Sequence, residues 1–463
     1  MKNEEVISET GSLCPVCLKK ISARKILEDN KVYMEKYCTE HGSFKTILWK
    51  GNISMKEWVR DKDRAHIKNP STSVKKGCPF DCGLCSEHRQ HTCTALIEVT
   101  QRCNLKCKFC FADSHAGKEQ DPSIEKIKFM YESLLRSSGR CNVQLSGGEP
   151  TLRDDLPDII KLGIELGFKF IQVNTNGIRM AQDEEYVKKL KRSGLSSVFL
   201  QFDGVQDVVY EKLRGTKLLD VKIKAIDNCR KYGIGIVLVP TIVPGVNVDN
   251  IGEIINFALK NMPAVRGVHF QPVSYFGRIP FIPNEAQRIT LPEIMENIEK
   301  QTRGKFKIDS MKPPGCENAL CSFHGNYIYK DRKELISVTH KSTSCCQNEK
   351  AEEGAKKARE FVSRNWSSRK VTNPNTKVKF NKLSSWDKIL YNINNYSFSI
   401  SAMAFQDIWN VDLERVKDCC IHVVSEEGRL IPFCMYNITD VNGNHIYRNC
   451  GVKGRGQNEA DTT

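Results

Sequence analysis

The chain has no apolar run approaching the roughly 18 residues that a membrane-crossing helix needs, so no transmembrane segment is expected. Its longest greasy stretch, Ile234–Val246, is interrupted by Pro240 and Pro244 and alternates like a buried strand. Met1–Glu9 is charged and lacks an apolar core, so no secretory leader is expected. Aromatic residues are only 8% and do not interleave with the basic runs, which argues against a surface of stacked rings for nucleic acid. No internal repeat is evident, which excludes solenoids and propellers.

Cysteine, by contrast, is abundant: 20 in 463 residues. Cys141 and Cys229 stand apart, but most others fall in short metal-ligand spacings rather than in a disulfide framework. A reducing cytoplasm is the expected compartment. The length calls for two or more modules: 1–60, a mononuclear metal module; 61–93, an iron–sulfur segment; 94–290, a barrel; and 291–463, an auxiliary-cluster domain. The net charge is +15, a count that treats cysteines as neutral. Lys330–Lys382 contributes much of it, with 14 Lys/Arg against 6 Asp/Glu. This insert is expected to be solvated. A sharper alternative is a patch for phosphate-bearing partners, anionic lipid or nucleic acid.

Residues 94–290 alternate strand and helix. Strands are expected at Ala95–Thr100, Val143–Leu145, Phe170–Val173, Val198–Phe202, Ile236–Val239 and Val268–Gln271. Helices are expected at Ile124–Leu135, behind the N-cap candidate Ser123, and at Leu156–Leu166, Val221–Arg230 and Ile251–Leu259. Six such repeats build a parallel, curved α/β sheet with functional groups at the strand C-terminal ends.

Four cysteine groups carry chemistry. Cys103, Cys107 and Cys110, in VTQRCNLKCKFCF, follow the first strand with C-x3-C-x2-C spacing. Three thiolates leave one iron of a four-iron cluster open to a chelating ligand; three-cysteine zinc is the bland alternative. Cys78, Cys82 and Cys85 repeat the spacing and Cys93 follows, a set read as a closed [4Fe–4S] centre, with His88 and His91 as substitute ligands and zinc as the alternative. Cys14, Cys17, Cys38 and His41 form two knuckles with the spacing of one tetrahedral ion, iron or zinc. Cys316, Cys321, Cys419, Cys420 and Cys434 are dispersed and not diagnostic by spacing. Cys345-Cys346 lies in the insert, and one of each adjacent pair is expected to be spare. Gly147-Gly148-Glu149-Pro150, ending the second strand, exposes backbone that can approach a charged amine or carboxylate closely.

The three-cysteine run, with Phe109 before its third cysteine, resembles the signature of the radical S-adenosylmethionine (SAM) superfamily. That resemblance implies a partial (β/α)6 TIM barrel, SAM on the open iron, SAM's ammonium on Gly147–Pro150, and a 5′-deoxyadenosyl radical on reductive cleavage. Asn174 and Asn176 are nominated for SAM's ribose or carboxylate, and Gln201 and Asp203 for SAM or substrate; each could equally be a turn residue. Over nearly the whole chain, Gly77–Cys93 running into Ala95–Leu105, Asp412–His422 and Gly428–Cys434 resemble the archaeal tetraether lipid synthase family and its bacterial relatives, some of which have been assigned as methylases of a pterin precursor. The family implies SAM, three [4Fe–4S] clusters and one mononuclear iron or zinc. The C-terminal cluster would use Cys316, Cys321, Cys420 (or Cys419) and Cys434. The implied reaction couples two lipid chain ends, with one carbon parked on that cluster, which would give Cys434 a catalytic part. Implied partners are a lipid at a membrane surface and a low-potential donor such as ferredoxin. Two rivals stand beside it. A dihydropterin methylase would need a compact polar pocket rather than a long apolar channel. A nucleic-acid-associated iron–sulfur protein would use the net charge and the knuckles.

Overall fold

A computed structural model describes residues 4–60, 62–67, 70–114, 117, 120–330, 333–339, 349–367 and 384–448. Its N-terminal strands β1 (Glu5–Leu13), β2 (Lys20–Glu28), β3 (Lys31–Cys38) and β4 (Gly42–Lys50) form an antiparallel meander. Asp29 and Asn30, the two-residue turn between β2 and β3, both have positive φ, as a hairpin turn matching strand twist requires.

The six expected repeats are present. Strands β5 (Thr94–Thr100), β6 (Asn142–Gly147), β7 (Ile171–Thr175), β8 (Ser197–Gln201), β9 (Gly235–Val239) and β10 (Val265–Pro272) pair in parallel in chain order. The helix Ile124–Ser138 begins where Ser123 accepts a hydrogen bond from the Lys126 amide and ends at Gly139. Its Ile127, Tyr131 and Leu134 are buried, one face of a 3.6-residue period. Between sheet and helices lies an apolar core that includes Val143, Leu145, Ile171 and Val173, all fully buried.

Two features go beyond the sequence reading. The sheet is wider than six strands: β11 (Ser322–Lys330), β12 (Ser397–Met403) and β13 (Ile421–Val424) join it from the C-terminal third. Strand β12 pairs in parallel with β10, β13 in parallel with β5, and β11 runs antiparallel to β12. The C-terminal region therefore supplies a parallel strand at each edge of the six.

The second feature corrects an expectation. The described part of the basic insert holds the helix Ala351–Trp366, which is not solvated on all sides. Trp366 Nε1 donates to Ser399 Oγ at 3.0 Å, Arg359 to the Thr92 carbonyl at 3.2 Å, Arg266 to the Asn365 carbonyl at 2.9 Å, and Asn142 to the Arg359 carbonyl at 3.3 Å. Thr92, Asn142 and Arg266 sit at or just before the starts of their strands, so this helix closes the N-terminal end of the barrel. Buried Ala351, Ala355 and Trp366, at helical spacing, were the available signal for it. Cys345, Cys346, Asn373–Asn375 and the tail 451–463 lie outside the described residues.

Near the end of the described chain, Arg448 is buried against Glu98 of β5, donating to it through both terminal nitrogens, and one of these also donates to Asn437 Oδ1 at 2.6 Å. Removing one partner of a buried pair strands the other charge. Arg448→Met is expected to cost about 3–5 kcal/mol, read by urea denaturation, and Glu98→Leu in the same chain should recover most of it.

Candidate active site

The barrel encloses a cavity of about 1770 Å³. Such interiors are ordinarily filled with branched apolar side chains. Here the wall also carries Gln144, Asn174, Gln201, His269, Gln271 and Ser401, beside apolar Leu96, Val239 and Ala402. Gln144 donates to Gln172 Oε1 at 2.8 Å and Gln172 to Ser197 Oγ at 3.1 Å, a ladder across β6, β7 and β8. The Oδ1 atoms of Asn174 and Asn326 are buried at this wall without a partner. Phe199, His269 and Trp366 form a ring-lined corner with centroid separations of 5.3, 5.7 and 6.2 Å. Burial lowers the His269 imidazole to about 4, so it is neutral and shares a hydrogen bond with Ser401 Oγ at 2.8 Å.

At the C-terminal end of β5, Cys103, Cys107 and Cys110 line the same cavity. Their loop is held by Arg278, which donates to the carbonyls of Cys107 at 3.0 Å and Ser114 at 2.9 Å. The backbones of Cys110 and Arg278 exchange two hydrogen bonds at 3.1 and 2.9 Å. Position 277 must be glycine: its φ is +64°, and a Cβ there would lie 2.3 Å from the Cys110 carbonyl. Burial pushes the Cys103 thiol up to about 12, with Glu149, Cys107 and Cys110 adding to it. Thiols so placed ionise readily only beside a strong positive charge such as a bound metal. Phe109 packs edge-on between Tyr275 and Phe281.

A Cβ on Gly147 would meet the Thr100 carbonyl at 2.1 Å, and one on Gly148 the Arg102 carbonyl at 2.2 Å. The two loops therefore touch through backbone, and the cradle exists only with glycine. Pro150 starts the short helical turn that follows. Glu149 is buried and accepts from Thr175 Oγ1 at 2.6 Å and the Asn176 amide at 2.7 Å, so it braces the cradle. Asn176 is likewise engaged, with Asn104 Oδ1 and the Ile178 amide. Asn174 is the member of this group with an acceptor to spare.

Asp203, nominated from sequence, is fully buried and turned away from the cavity wall. Its carboxylate accepts two hydrogen bonds from Arg214, both at 2.7 Å, and one from the Thr241 amide at 3.1 Å. Of this pair it is Arg214 that reaches the wall, a residue the sequence reading missed; a buried aspartate demanding a cation was the available signal. Burial opposes the charge of Arg214, but Asp203 and the Cys107 sulfur beside it hold its pKa above the ordinary value. The Gln201 side-chain amide lies between Lys222, from which its oxygen accepts at 3.3 Å, and Arg214, to which the same oxygen would turn with the amide reversed. Lys222, also missed, lies behind this group, donates to the Asn176 carbonyl, and is lowered to about 8 by burial.

The other cysteines regroup relative to their spacing. Cys14, Cys17, Cys38 and His41 converge as expected, with ligand atoms all within 4.8 Å of one another. Cys14 and Cys38 sulfurs lie 3.6 and 3.5 Å from His41 Nδ1, matching the roughly 3.5 Å sulfur–nitrogen edge of a tetrahedral site, so this set fits one ion. Cys78, Cys82 and Cys85 share one loop, tied down where Asp81 accepts from the Lys75, Lys76 and Gly77 amides at 2.6–2.7 Å. Cys93, expected with them, is instead beside Cys316 and Cys420. The reason is strand pairing: Thr94 of β5 is in register with Ile421 of β13, so the residues just before them, Cys93 and Cys420, lie side by side. That leaves Cys321, Cys419 and Cys434 grouped near Arg415, not the four-residue C-terminal set implied by resemblance. Cys434 is not on the cavity wall. His88 is buried and engaged with the Cys419 carbonyl and His422, and His91 lies beside Glu352, so neither faces Cys78–Cys85 as a ligand.

Residues 97–258 match the model of the radical SAM superfamily, and residues 6–50 that of the HMPTM N-terminal zinc ribbon domain. The chain is 37% identical to the 7,8-dihydro-6-hydroxymethylpterin dimethyltransferase of Methanocaldococcus jannaschii, over 93% of either chain. It is 27% identical to a probable GTP 3′,8-cyclase of Sulfolobus acidocaldarius, over 56% of this chain and 87% of that one. Among solved structures, Streptococcus suis SuiB bound to S-adenosylmethionine is 18% identical, over 46% of this chain and 48% of that one, with a TM-score of 0.37. The chain belongs to the radical SAM superfamily and, within it, to the family of the M. jannaschii protein. This overturns the tetraether lipid synthase reading, because the relative matched along nearly the whole chain is a dihydropterin methyltransferase. No helix among the described residues is long and apolar enough to cross a membrane.

The cradle gives a sharp test. Gly148→Ala should push the Arg102 carbonyl aside and lower reductive SAM cleavage at least about 100-fold, since a displacement near 1 Å suffices for such a loss. Release of 5′-deoxyadenosine measures it.

Proposed function

We propose that this chain is a radical SAM methylase acting on a reduced, hydroxymethyl-bearing pterin. The observation that carries the reading is the inner face of the barrel. Among aliphatic side chains such as Leu96, Val239 and Val273 it sets a run of amides, a neutral imidazole and ring faces, and buried polar groups left facing the hydrocarbon of an alkyl chain are costly. Gln201, Gln271 and Asn326 offer amide edges to the ring nitrogens and carbonyl of a pterin. Phe199, His269 and Trp366 offer faces on which a flat heterocycle stacks. The similarity to the M. jannaschii dimethyltransferase over almost its full length supports the same substrate class.

In this reading Cys103, Cys107 and Cys110 hold the SAM cluster and leave one iron free of protein ligands. What a cluster and SAM supply there, given an electron from a low-potential donor such as a ferredoxin, is hydrogen abstraction from carbon. The chain's own residues bind and orient. The backbone at Gly147 and Gly148 receives SAM's charged amino end, and the orphan Asn174 Oδ1 accepts from a ribose hydroxyl or ammonium. Arg214, kept cationic by Asp203, receives a carboxylate, and Lys222 and Glu149 hold the loops that carry these groups. The helix Ala351–Trp366 excludes water from the far end. The ribbon of β1–β4 holds one zinc through Cys14, Cys17, Cys38 and His41, and Cys78, Cys82 and Cys85 hold a further cluster.

Anaerobic incubation of reconstituted protein with SAM, dithionite, a methyl donor pool from cell extract and 7,8-dihydro-6-hydroxymethylpterin tests this. A methyl-sized mass gain on the pterin, formed together with 5′-deoxyadenosine, is expected. Deoxyadenosine release with the pterin unchanged would overturn the substrate assignment.

A further inference from the structure

Asp203 and Arg214 form an almost completely dry salt bridge: the carboxylate is fully buried and the arginine only 6% exposed. Both carboxylate oxygens are spent on the one guanidinium, which donates through Nε and Nη2 at 2.7 Å, and Nη2 donates again to Thr241 Oγ1 at 3.2 Å. A buried pair of this kind adds little net stability once its desolvation is counted, so stability alone does not account for it. Much of the surrounding structure holds it in place. Asn247 donates to the carbonyls of Asp203 at 2.9 Å and Thr241 at 2.8 Å, which ties the ends of β8 and β9 together. Arg214 ends the helix Asp207–Arg214, which stops at Gly215 with φ +82°. Beyond it, the Leu218 and Leu219 amides both donate to Asp207 Oδ1 at 3.0 Å.

The same guanidinium has a further hydrogen-bond partner, the sulfur of Cys107. Cys107 is itself buried, in an apolar nest of Leu105, Tyr210 and Leu218. The two segments are also joined through backbone, where the Lys108 amide donates to the Leu213 carbonyl at 3.1 Å. Arg278, the other arginine on this loop, reaches the carbonyls of Cys107 and Ser114 and the Asp113 carboxylate. Arg278 therefore fixes the loop, while Arg214 brings positive charge to a sulfur. One-electron reduction of a cluster adds one negative charge. A fixed cation bonded to a ligand sulfur favours that charge, and more strongly in a dry site than in water. Asp203 acts the other way: it keeps the arginine charged and offsets part of its field.

We infer that Arg214, through its hydrogen bond to Cys107, raises the reduction potential of the cluster held by Cys103, Cys107 and Cys110, and that Asp203 limits the rise. The inference rests on the reading of those three cysteines as cluster ligands and not on the pterin. The step it governs is the transfer of one electron from a low-potential donor to the cluster; no bond breaks and no proton moves between these side chains. In this role Arg214 is a positioning residue, acting through a ligand rather than on SAM or substrate, and it acts with SAM absent.

The test is a redox titration of full-length, anaerobically reconstituted protein without SAM, followed by electron paramagnetic resonance. The cluster is identified as the signal lost in Cys107→Ala. In Arg214→Gln its potential should fall by about 59 mV or more, a tenfold loss in the one-electron equilibrium, at unchanged iron and sulfide content. In Asp203→Asn, which keeps the guanidinium, it should rise. Either single change unbalances a buried charge, so the double variant Asp203→Asn, Arg214→Gln is measured as well; it leaves no charge behind and should lower the potential by less than Arg214→Gln alone. An arginine that only held the loop would change the amount of cluster and not its potential. A potential unmoved or raised in Arg214→Gln and in the double variant overturns the inference. A set of signals that Cys107→Ala leaves complete overturns the ligand reading, and the inference with it.

Discussion

Parallel hydrogen bonding across one sheet fixes where every reactive group stands. Strand β5 sits between β6 and β13, so a single strand carries Cys93 at its start and leads into Cys103, Cys107 and Cys110 at its end. Its length sets the separation of Cys93 from the Cys103 loop, and its pairing with β13 brings Cys420 beside Cys93. The cavity exists because β10 and β12 extend the same sheet on the other side, and the helix Ala351–Trp366 seals the bottom. Little of this arrangement depends on loops alone, which suits a site in which small displacements cost large factors in rate.

A second constraint is desolvation. The thiols of Cys103, Cys141, Cys229 and Cys434 are each pushed up to about 12 by burial. For Cys141 and Cys229, remote from other ligands, that means inert core thiols. For Cys103 it means that a bound metal would supply the charge that makes a thiolate stable at a buried site. The same dryness explains the Asp203–Arg214 pair and the neutral His269: the barrel admits charge only where a partner meets it.

Periodicity and punctuation made the six β/α repeats legible, because each helix carries its own apolar stripe and caps, as Ile124–Ser138 does with Ser123 and Gly139. The radical-site triad, the glycine cradle and the ribbon ligands were legible too, since each is local in sequence. What could not be read was anything set by long-range pairing. Cys93 seemed to belong with Cys85, eight residues away, but register with β13 carries it to Cys420, over three hundred residues on. Asp203 read as a ligand contact because spacing cannot reveal that Arg214 consumes both its oxygens. The helix Ala351–Trp366 hid within a basic composition, its apolar face diluted by the lysines and arginines of the opposite side.

The central claim is that Cys103, Cys107 and Cys110 leave one iron open for SAM. Electron paramagnetic resonance of the reduced, reconstituted protein tests it most directly. SAM is expected to shift the signal of one cluster in wild type and to have no such effect in Cys107→Ala, whose remaining centres stay visible. A wild-type spectrum that SAM leaves unchanged would contradict it.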